Sequence, residues 1–302
     1  MSTEEIQGVI AVDKPSGVTS HDIVNKMRRL YGTKKIGHTG TLDPMATGVL
    51  VVLIGRAAKA SEYLLSDGKI YDATLRLGIT STTEDTQGEI LTECNDIPCE
   101  SDVLRAIESF KGDIMQTPPM YSALKVNGQK LVDLARRGIQ IQREQRQITI
   151  YGIQGKRITD REYSMTVSCS KGTYIRTLCA DIGARLKCGA VMSSLRRIKS
   201  GAFTLDNCYT VQDIEEMTLQ ERIDALLPTE QVFSEYPVYK PSGFFLRLCR
   251  DGQQLYQSKI KTDFPLDSYV RLYDEDGFFA LGQVQTFEEG SAIKPVKVFK
   301  LK

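Results

Sequence analysis

Apolar residues follow two different periods in the first part of the chain, and each period predicts a secondary-structure element. Residues 49–54 are apolar without interruption, which is typical of a strand buried on both faces. Residues 69–78 alternate instead, with Tyr71, Ala73 and Leu75 on one face and polar side chains on the other. Both stretches therefore predict strands, the first fully buried and the second half-buried.

Helix signals are distributed along the same chain. Thr19 or Ser20 caps a predicted helix that buries Ile23, Met27 and Leu30 at helical spacing. Further helices are predicted at residues 101–110 and 128–137, after a strand and turn near residue 173, and at the capping boxes 210–213 and 218–221. Because strands and helices mix without regular alternation, the predicted fold class is α+β rather than a doubly wound parallel sheet.

A change in sequence texture predicts a domain boundary late in the chain. Pro228, Pro237 and Pro241 fall close together. Beyond them, residues 244–302 consist of short strand-like runs, with turns at Asp-Gly pairs. A segment with this length and pattern predicts a small β-barrel.

Composition places the chain among soluble globular proteins. Hydrophobic residues make up 41% and charged residues 25% of its 302 positions, which is ordinary for that class. The sequence MSTEEIQG resembles no signal peptide, and no apolar run approaches the roughly 20 residues that span a bilayer. Seven cysteines without CxxC pairing fit a reducing compartment, and a chain with two histidines lacks a zinc-ligand set. We therefore expect a cytoplasmic protein without a metal site.

Charge is segregated along the chain, although the net charge is +1. Residues 23–42 and residues 183–205 each carry five basic and no acidic side chains, whereas residues 84–102 carry seven acidic and no basic ones. A single run of this kind is typical of a solvated helix face. Two basic runs beside motif-like segments favour a surface for a polyanion, with the acidic segment turned to water.

One loop surrounds a single acid with small residues. The sequence KKIGHTGTLDPMATGVLVVLIG, residues 34–55, places Asp43 just before the long apolar run. Pro44 forces Asp43 out of the helical region, and the glycines permit either a tight turn or the close approach of a ligand. An Asx-turn that leads into a core strand is the common explanation for such an acid. The nearby His38 and the preceding basic helix favour a functional one.

A second local rule is broken near Arg176. A helix that begins near Thr173 should attract acids in its first turn, because its amide dipoles are positive there. Instead, Lys171 and Arg176 lie at that end. Either the charge is exposed, at a cost of about 0.3–1 kcal/mol, or Arg176 faces a carboxylate or a phosphate.

Five long sequence blocks occur in a fixed order, and they are DKPSGVTSHDIVNKMRR, GHTGTLDPMATGVLVVLIGRA, KIYDATLRLGITSTTEDTQG, PPMYSALKVNGQKLVDLARRG and SKGTYIRTLCADIGARLKCGAVMSSLRR. In order and spacing they closely resemble the bacterial tRNA pseudouridine-55 synthases, the TruB family, over essentially the whole chain. The departures are mild, since Val132 stands where an aromatic is common and GRAAKA replaces GRATK.

The resemblance implies catalytic roles for three residues. Asp43 matches the family's catalytic aspartate, a carboxylate that can attack the sugar or the base, or stabilise charge on the sugar. Arg176 matches the partner that keeps this carboxylate ionised and aimed. Tyr71 matches the residue that stacks on the flipped-out base and whose phenol is a candidate for proton transfer. From its pattern alone, Tyr71 would be read as a core tyrosine.

Four more residues match RNA-binding or supporting positions of the family. His38 resembles the histidine that enters the RNA loop and helps to expel the target nucleotide, because a base stacked in the T-loop is out of reach. Tyr174 and Leu195 match positions that pack around the base, although core packing is the ordinary explanation for such side chains. Lys14 matches a motif lysine with a structural role.

The resemblance also implies an architecture and a partner. Residues 1–230 would form the pseudouridine synthase domain, with a central mixed, mostly antiparallel sheet flanked by helices and an acidic insertion near residues 80–102. Residues 231–243 would be a linker, and residues 244–302 a PUA-like RNA-binding β-barrel. The expected partner is tRNA, in which uridine 55 of the T-arm is isomerised. No cofactor, metal, membrane or protein partner is implied.

Two other functions remain open from the sequence. A non-catalytic RNA-binding protein or tRNA-folding chaperone would use the basic runs and aromatic residues without needing Asp43. The presence of Asp43, Arg176 and Tyr71 together argues against that loss of chemistry. A metabolic enzyme for a small molecule is disfavoured by the segregated charge and the appended barrel.

Overall fold

The structure, a computed structural model, describes residues 6–61, 63, 68–126 and 128–299. Its strands in chain order are β1 Gly8–Lys14, β2 Ile36–His38, β3 Thr47–Ile54, β4 Lys69–Leu77, β5 Ile79–Ser81, β6 Ile90–Glu93, β7 Gly112–Gln116, β8 Lys125–Val126, β9 Gln129–Lys130, β10 Arg146–Arg157, β11 Glu162–Cys169, β12 Ala190–Ser200, β13 Phe203–Thr204, β14 Cys208–Thr210, β15 Val238–Tyr239, β16 Leu255–Tyr256, β17 Tyr269–Asp274, β18 Gly277–Phe287 and β19 Gly290–Val298. Its helices are α1 Ser20–Leu30, α2 Glu100–Glu108, α3 Leu131–Arg136, α4 Ile175–Arg185, α5 Val211–Glu216, α6 Leu219–Asp224, α7 Gly243–Arg250 and α8 Gln257–Ile260. Over these described ranges, no helix combines the length and the apolar character needed to cross a membrane.

A ten-stranded sheet organises the first two thirds of the chain. Its strand order is β14-β1-β3-β12-β4-β11-β10-β7, with β2 added to β3 and β13 added to β12. The pairs β1–β14 and β12–β3 are parallel, and the remaining pairs of this sheet are antiparallel. Side chains of α1, α2 and α4 share one hydrophobic core with the sheet. The mixed, mostly antiparallel α+β prediction is confirmed.

The strands on either side of β12 are β3 and β4, which the two apolar patterns of the sequence predicted. In β3, Leu50 and Val52 enter the core that contains α1, whereas Val51 and Leu53 enter a second cluster on the opposite face. This double covering explains why the whole run is apolar. In β4, buried and less buried residues alternate along the strand, which places Tyr71 on the inward face.

Local hydrogen bonds fix the beginning of α1 where the sequence predicted it. Thr19 accepts from the Asp22 N–H at 3.1 Å through its hydroxyl, and its own N–H donates to the Asp22 carboxylate at 2.8 Å. This capping box satisfies donors that the first helical turn leaves unpaired. The same arrangement begins α5 after Thr210 and α6 after Thr218.

Two predicted elements differ in extent or type. The helix predicted at residues 128–137 begins at Leu131, because residues 125–126 and 129–130 pair first as a short hairpin. Residues 244–250 belong to α7 rather than to a strand, so the expectation of strands throughout the last segment is wrong there. The run of apolar residues in GFFLRLCR permits both periods. In the structure it packs as a helix, with Cys249 buried beside β16.

The remaining C-terminal strands form a curled five-stranded sheet in the order β15-β17-β18-β19-β16. The resemblance implied a PUA-like β-barrel, and this curled sheet is consistent with a PUA-like half-barrel. Its first strand, Val238–Tyr239, pairs in parallel with β17 and lies within the segment predicted as a linker. Two residues of that segment are therefore part of the C-terminal sheet.

A hydrophobic cluster joins the two sheets. Val51 and Leu53 from the back of β3 lie in it together with Phe233, Leu281 and Phe299 from the C-terminal part. The ring of Phe233 stacks at a tilt on that of Phe299, with centroids 5.6 Å apart. The C-terminal sheet consequently covers the face of β1 and β3 that lies opposite α1.

Candidate active site

The loop between β2 and β3 carries Asp43 and is held on both sides. Before Asp43, the Ser20 hydroxyl accepts from the Leu42 N–H at 2.8 Å and donates to the Leu42 carbonyl at 3.0 Å. After Asp43, the Pro44 carbonyl accepts from Lys14 Nζ at 3.2 Å. Contacts from β1 and α1 thereby fix the backbone of a loop that has little secondary structure of its own.

The Asp43 carboxylate is paired with Arg176, which lies in the first turn of α4. Arg176 Nε is 2.9 Å from Asp43 Oδ2, and Nη2 donates to Oδ1 at 3.2 Å. The guanidinium also donates to the carbonyls of Thr83 at 3.0 Å and Tyr121 at 2.8 Å. Arg176 is only 5% exposed, so it is the buried cation facing a carboxylate and not the exposed one. The bidentate geometry fixes the orientation of Asp43.

The pKa of Asp43 is set by opposing influences. Burial raises the pKa of this carboxyl above its ordinary value, the Arg176 guanidinium opposes the rise, and the neighbouring Asp85 adds to it. A third of the Asp43 side chain is still exposed, so a ligand can reach it. A carboxylate with few water molecules around it is a stronger base and nucleophile than one in bulk water.

Two acids from the run at residues 84–102 belong to this site, and the sequence interpretation missed them. Asp85 is 5% exposed, with Oδ2 3.8 Å from Arg176 Nη1 and Oδ1 accepting from the Gln87 N–H at 2.9 Å. Glu84 accepts from the Thr177 hydroxyl at 2.6 Å. The expectation that this run faces water is therefore wrong at its first two acids, because α4 offers them partners. Their place at the end of the block KIYDATLRLGITSTTEDTQG was the available signal.

Tyr71 is 7% exposed on the inward face of β4. Its partner across the sheet on β12 is Arg197, which is 1% exposed and so cannot contribute to the surface predicted from the second basic run. Burial raises the pKa of the Tyr71 phenol, while the positive charge of Arg197 opposes the rise. The phenol is consequently neutral at physiological pH and retains a proton to donate.

His38 ends β2 and is half-buried. Its Nδ1 accepts from the Gly40 N–H at 3.2 Å, so a neutral ring carries its proton on Nε2. Burial lowers the pKa of His38, and the positive charge of Arg197 lowers it further. Arg197 also binds the Gly40 carbonyl at 3.0 Å, which connects the His38 turn to the surroundings of Tyr71.

Tyr174 directly precedes α4, the helix that carries Arg176. Leu195 lies on β12, which pairs with β4, the strand that carries Tyr71. The backbone N–H of Tyr174 donates to Gln116 Oε1 at 2.8 Å, and Gln116 Nε2 donates back to the Tyr174 carbonyl at 3.1 Å. This pair of bonds holds Tyr174, the residue directly before α4. Burial raises the pKa of its phenol, and the negative charge of Asp43 adds a smaller rise. Leu195, 8% exposed, lies opposite Ala73 of β4 in the sheet.

Lys14 supports the loop that carries Asp43. Its side chain has no exposed surface, and Nζ donates to the carbonyls of Pro15 at 2.8 Å and Pro44 at 3.2 Å. We expect Lys14→Met to remove the bond to the Pro15 carbonyl, at a cost of about 1–3 kcal/mol, whereas the Pro44 carbonyl keeps the bond from the Gly17 N–H at 2.9 Å. Denaturant unfolding of the wild type and the variant at neutral pH measures this difference, and equal free energies of unfolding would contradict it.

The same substitution has a pH signature. Burial lowers the pKa of Lys14 from 10.5 to about 8. Between these two values the unfolded chain binds more protons at this position than the folded protein does, so this group makes stability rise with pH. The wild type should therefore gain free energy of unfolding relative to Lys14→Met as the pH rises from about 8 towards 10.5. A constant difference across that interval would show that Lys14 is not buried in this way.

The described residues contain no cluster of three or more histidine, cysteine, aspartate or glutamate side chains arranged to hold a metal ion. The ionisable groups that come together are instead an acid, Asp43, with its guanidinium and a second carboxylate, beside a neutral phenol. This arrangement can position a carboxylate against a ligand and can supply a proton donor. Both are parts of acid–base or nucleophilic catalysis.

Two family models match most of the chain. The TruB family pseudouridylate synthase N-terminal domain matches residues 28–175, and the tRNA pseudouridylate synthase B C-terminal domain matches residues 176–234. The first of these includes Asp43 and Tyr71, and the second begins at Arg176. The two matches therefore cover the loop, the strand and the helix from which the site is built.

Relatives and solved structures extend the match to the remaining residues. The chain is 41% identical to tRNA pseudouridine synthase B of Clostridium tetani, over 92% of this chain and 96% of that one. It is 42% identical to the same enzyme of Clostridium novyi, over 92% and 95% of the two chains. It also superposes on a chain of a Cbf5-Nop10-Gar1 complex with a TM-score of 0.75 and 28% identity, over 97% of this chain and 85% of that one.

A second solved structure, an H/ACA RNP bound to a substrate RNA containing 2′-deoxyuridine, superposes with a TM-score of 0.72 and 26% identity, over 97% of this chain and 85% of that one. Fold and sequence thus agree over nearly the full length. The chain belongs to the TruB family of tRNA pseudouridine synthases, which are isomerases.

Proposed function

We propose that this protein isomerises uridine 55 in the T-loop of tRNA to pseudouridine, with Asp43 as the reacting carboxylate. The observation that carries the proposal is the bidentate pair between Asp43 and Arg176 in a TruB-family fold. Asp43 is partly exposed while Arg176 is buried, so the carboxylate can meet a ligand without losing its orientation.

The reaction requires one bond to break and one to form within the same nucleotide. The N1–C1′ bond is cleaved, the base rotates, and C5 joins C1′. C5 then loses its proton, and N1 carries one in the product. The Asp43 carboxylate supports this by attacking the sugar or the base, or by stabilising positive charge on the sugar. Nothing is oxidised and no group is donated, so the side chains described can carry the reaction.

Access to the target requires that the base leave its stack in the T-loop. His38 lies on the turn before Asp43, and its uncharged ring is suited to enter the loop in place of the expelled base. Tyr71 then provides a flat surface for the extruded uracil, while Tyr174 and Leu195 close the pocket around it. In this scheme, Lys14 keeps the loop in place.

The C-terminal sheet supplies a second RNA contact in this proposal. We assign catalysis to residues 1–230, a connection to residues 231–243 and RNA binding to residues 244–302. The support is the curled five-stranded sheet and its contact with the back of the catalytic sheet. Phosphate contacts from both parts would hold the T-arm and the adjoining stem of tRNA.

The direct test is product formation. Unmodified tRNA transcript, tritiated at uridine C5, should release tritium when it is incubated with the protein, and the pseudouridine should map to position 55. A transcript with cytidine at that position serves as the control and should release none. Binding without tritium release would favour a tRNA-folding chaperone, and pseudouridine outside the T-loop would contradict the assigned position.

Salt dependence tests the contribution of the C-terminal sheet without altering the protein. We expect full-length tRNA to lose affinity more steeply with rising salt than an isolated T-arm stem-loop does, because it makes more phosphate contacts. Each additional contact should steepen the slope of log Kd against log salt by about 0.9. Filter binding over a series of KCl concentrations gives both slopes. Equal slopes would show that the protein contacts the T-arm alone.

A further inference from the structure

Glu84 has a backbone conformation that its residue type disfavours. Its φ is +63°, in the left-handed region where a Cβ atom crowds the following carbonyl, so that glycine usually occupies such positions. Glu84 lies in the turn between β5 and β6, and its main chain is held on two sides. Its N–H donates to the Ser81 carbonyl at 3.4 Å, and its carbonyl accepts from the Met192 N–H of β12 at 3.0 Å. A non-glycine residue persists in this conformation where the surrounding contacts hold it there.

The side chain of Glu84 makes a further contact, with α4. Its Oε2 accepts from the Thr177 hydroxyl at 2.6 Å. Thr177 directly follows Arg176 in the first turn of α4, so this bond joins the turn to the helix beside the guanidinium. Glycine would suit the backbone better but has no side chain with which to reach Thr177. The contact with α4 therefore explains why a glutamate occupies this position.

Both neighbours of Glu84 in the chain face Arg176. The Thr83 carbonyl accepts from Arg176 Nη1 at 3.0 Å, and Asp85 Oδ2 is 3.8 Å from the same nitrogen. In a trans peptide, the C=O and the next N–H point in opposite directions. The Thr83 carbonyl can therefore face the guanidinium while the Glu84 N–H points back into the turn. The conformation of Glu84 thus sets the direction of two groups that surround the arginine paired with Asp43.

We propose that Glu84 is a positioning residue for the proposed isomerisation. By joining the turn to Thr177, it keeps the acceptors around Arg176 in place, and Arg176 in turn keeps Asp43 aimed at the nucleotide. Glu84 itself contacts neither the substrate nor Asp43 in this scheme, so its effect passes through Arg176. Because it serves Asp43, this role rests on the proposed function.

Two substitutions at Glu84 separate positioning from a purely structural role. Glu84→Ala loses the bond to Thr177 and keeps the unfavourable φ, whereas Glu84→Gly loses the bond but relieves the backbone, so it should unfold at a higher temperature than Glu84→Ala. Both variants should nevertheless slow single-turnover pseudouridine formation by at least about tenfold, because displaced catalytic groups cost rate. The Kd for tRNA should change little. A rate that recovered together with stability in Glu84→Gly would overturn the proposal.

Glu84→Gln and Thr177→Val test the hydrogen bond itself. Glutamine keeps an oxygen that can accept from the Thr177 hydroxyl, so its rate should stay within about threefold of the wild type. Valine removes the donor, so Thr177→Val should be as slow as Glu84→Ala. The double variant Glu84→Ala/Thr177→Val should be slower than either single variant by less than about threefold, because both changes break the same bond. Additive losses, or a Glu84→Gln rate as low as that of Glu84→Ala, would overturn the proposal.

The matched control is the hydrogen bond between Thr149 and Asp113. It is also a bond from a threonine hydroxyl to a carboxylate, at 2.7 Å, but it joins β10 to the edge strand β7. Thr149→Val and Asp113→Ala should leave the single-turnover rate unchanged, and a loss as large as that of Glu84→Ala would reduce Glu84 to a structural role. Failure of the wild type to form pseudouridine at position 55 would defeat the proposed function. Additive losses in an active wild type would defeat this inference alone.

Discussion

Asp43→Asn is expected to abolish detectable pseudouridine formation while tRNA binding stays within about tenfold, or 1.4 kcal/mol. Asparagine has nearly the same shape and keeps one oxygen for Arg176, so the loop between β2 and β3 should hold its position. It lacks the negative charge and the nucleophilic oxygen that the reaction needs. Single-turnover tritium release and filter binding measure the two quantities separately.

The matched control for this variant is Asp13→Asn. Asp13 also makes a two-point contact with an arginine, since Arg196 Nη1 and Nη2 donate to its two oxygens at 3.2 and 2.7 Å. That pair is partly exposed on β1 and β12, so its loss should cost at most about 1 kcal/mol of stability and no activity. Near-normal turnover in Asp43→Asn would refute the assignment of Asp43, whatever the control shows.

Tyr71→Phe is expected to bind tRNA almost normally and to react at least about a hundredfold more slowly. Phenylalanine retains the ring on which a base can stack, a contact worth about 1–3 kcal/mol. It loses the hydroxyl, and a group that moves a proton in the transition state contributes roughly 10²–10⁴-fold in rate. Tyr71→Leu should lose both affinity and rate. Single-turnover kinetics at saturating enzyme separate the two effects.

A second buried tyrosine provides the comparison. Tyr163 on β11 is 1% exposed and lies beside β4, opposite Leu75 and away from Asp43. Tyr163→Phe should keep the wild-type rate, because its hydroxyl has no part in the proposed chemistry. If Tyr71→Phe also kept the wild-type rate, Tyr71 would be a stacking surface and nothing more.

The sequence predicted best those elements whose pattern of buried residues repeats within the element itself. The alternating face of β4 and the continuous apolar run of β3 needed no information from elsewhere in the chain. The beginning of α1 followed from a hydrogen-bonded exchange between Thr19 and Asp22, three residues apart. α7 was mispredicted because a short run of consecutive apolar residues satisfies both periods, and its partners are distant strands.

Local sequence patterns predicted less of the site than of the fold. Asp43 and Arg176 are separated by 133 positions, so their pairing was indicated by the family resemblance and not by spacing. Asp85 and Arg197 were counted as surface charges because a count along the chain does not show which charges meet inside. Both are buried by partners that other elements bring. The buried charges therefore find their partners through contacts between elements that are distant in the sequence.

The apolar cluster shared by the two sheets has a consequence for how the chain unfolds. Leu281 and Phe299 pack in one cluster with Val51 and Leu53 of β3. Cutting the chain at residue 243 would therefore expose this hydrophobic face of β3 and promote aggregation. The two parts should therefore melt in one calorimetric transition rather than two. Under the proposed function, a half-barrel packed on the sheet in this way would fix the distance between the bound RNA stem and Asp43. RNA loops that lie at another distance from their stem would go unmodified.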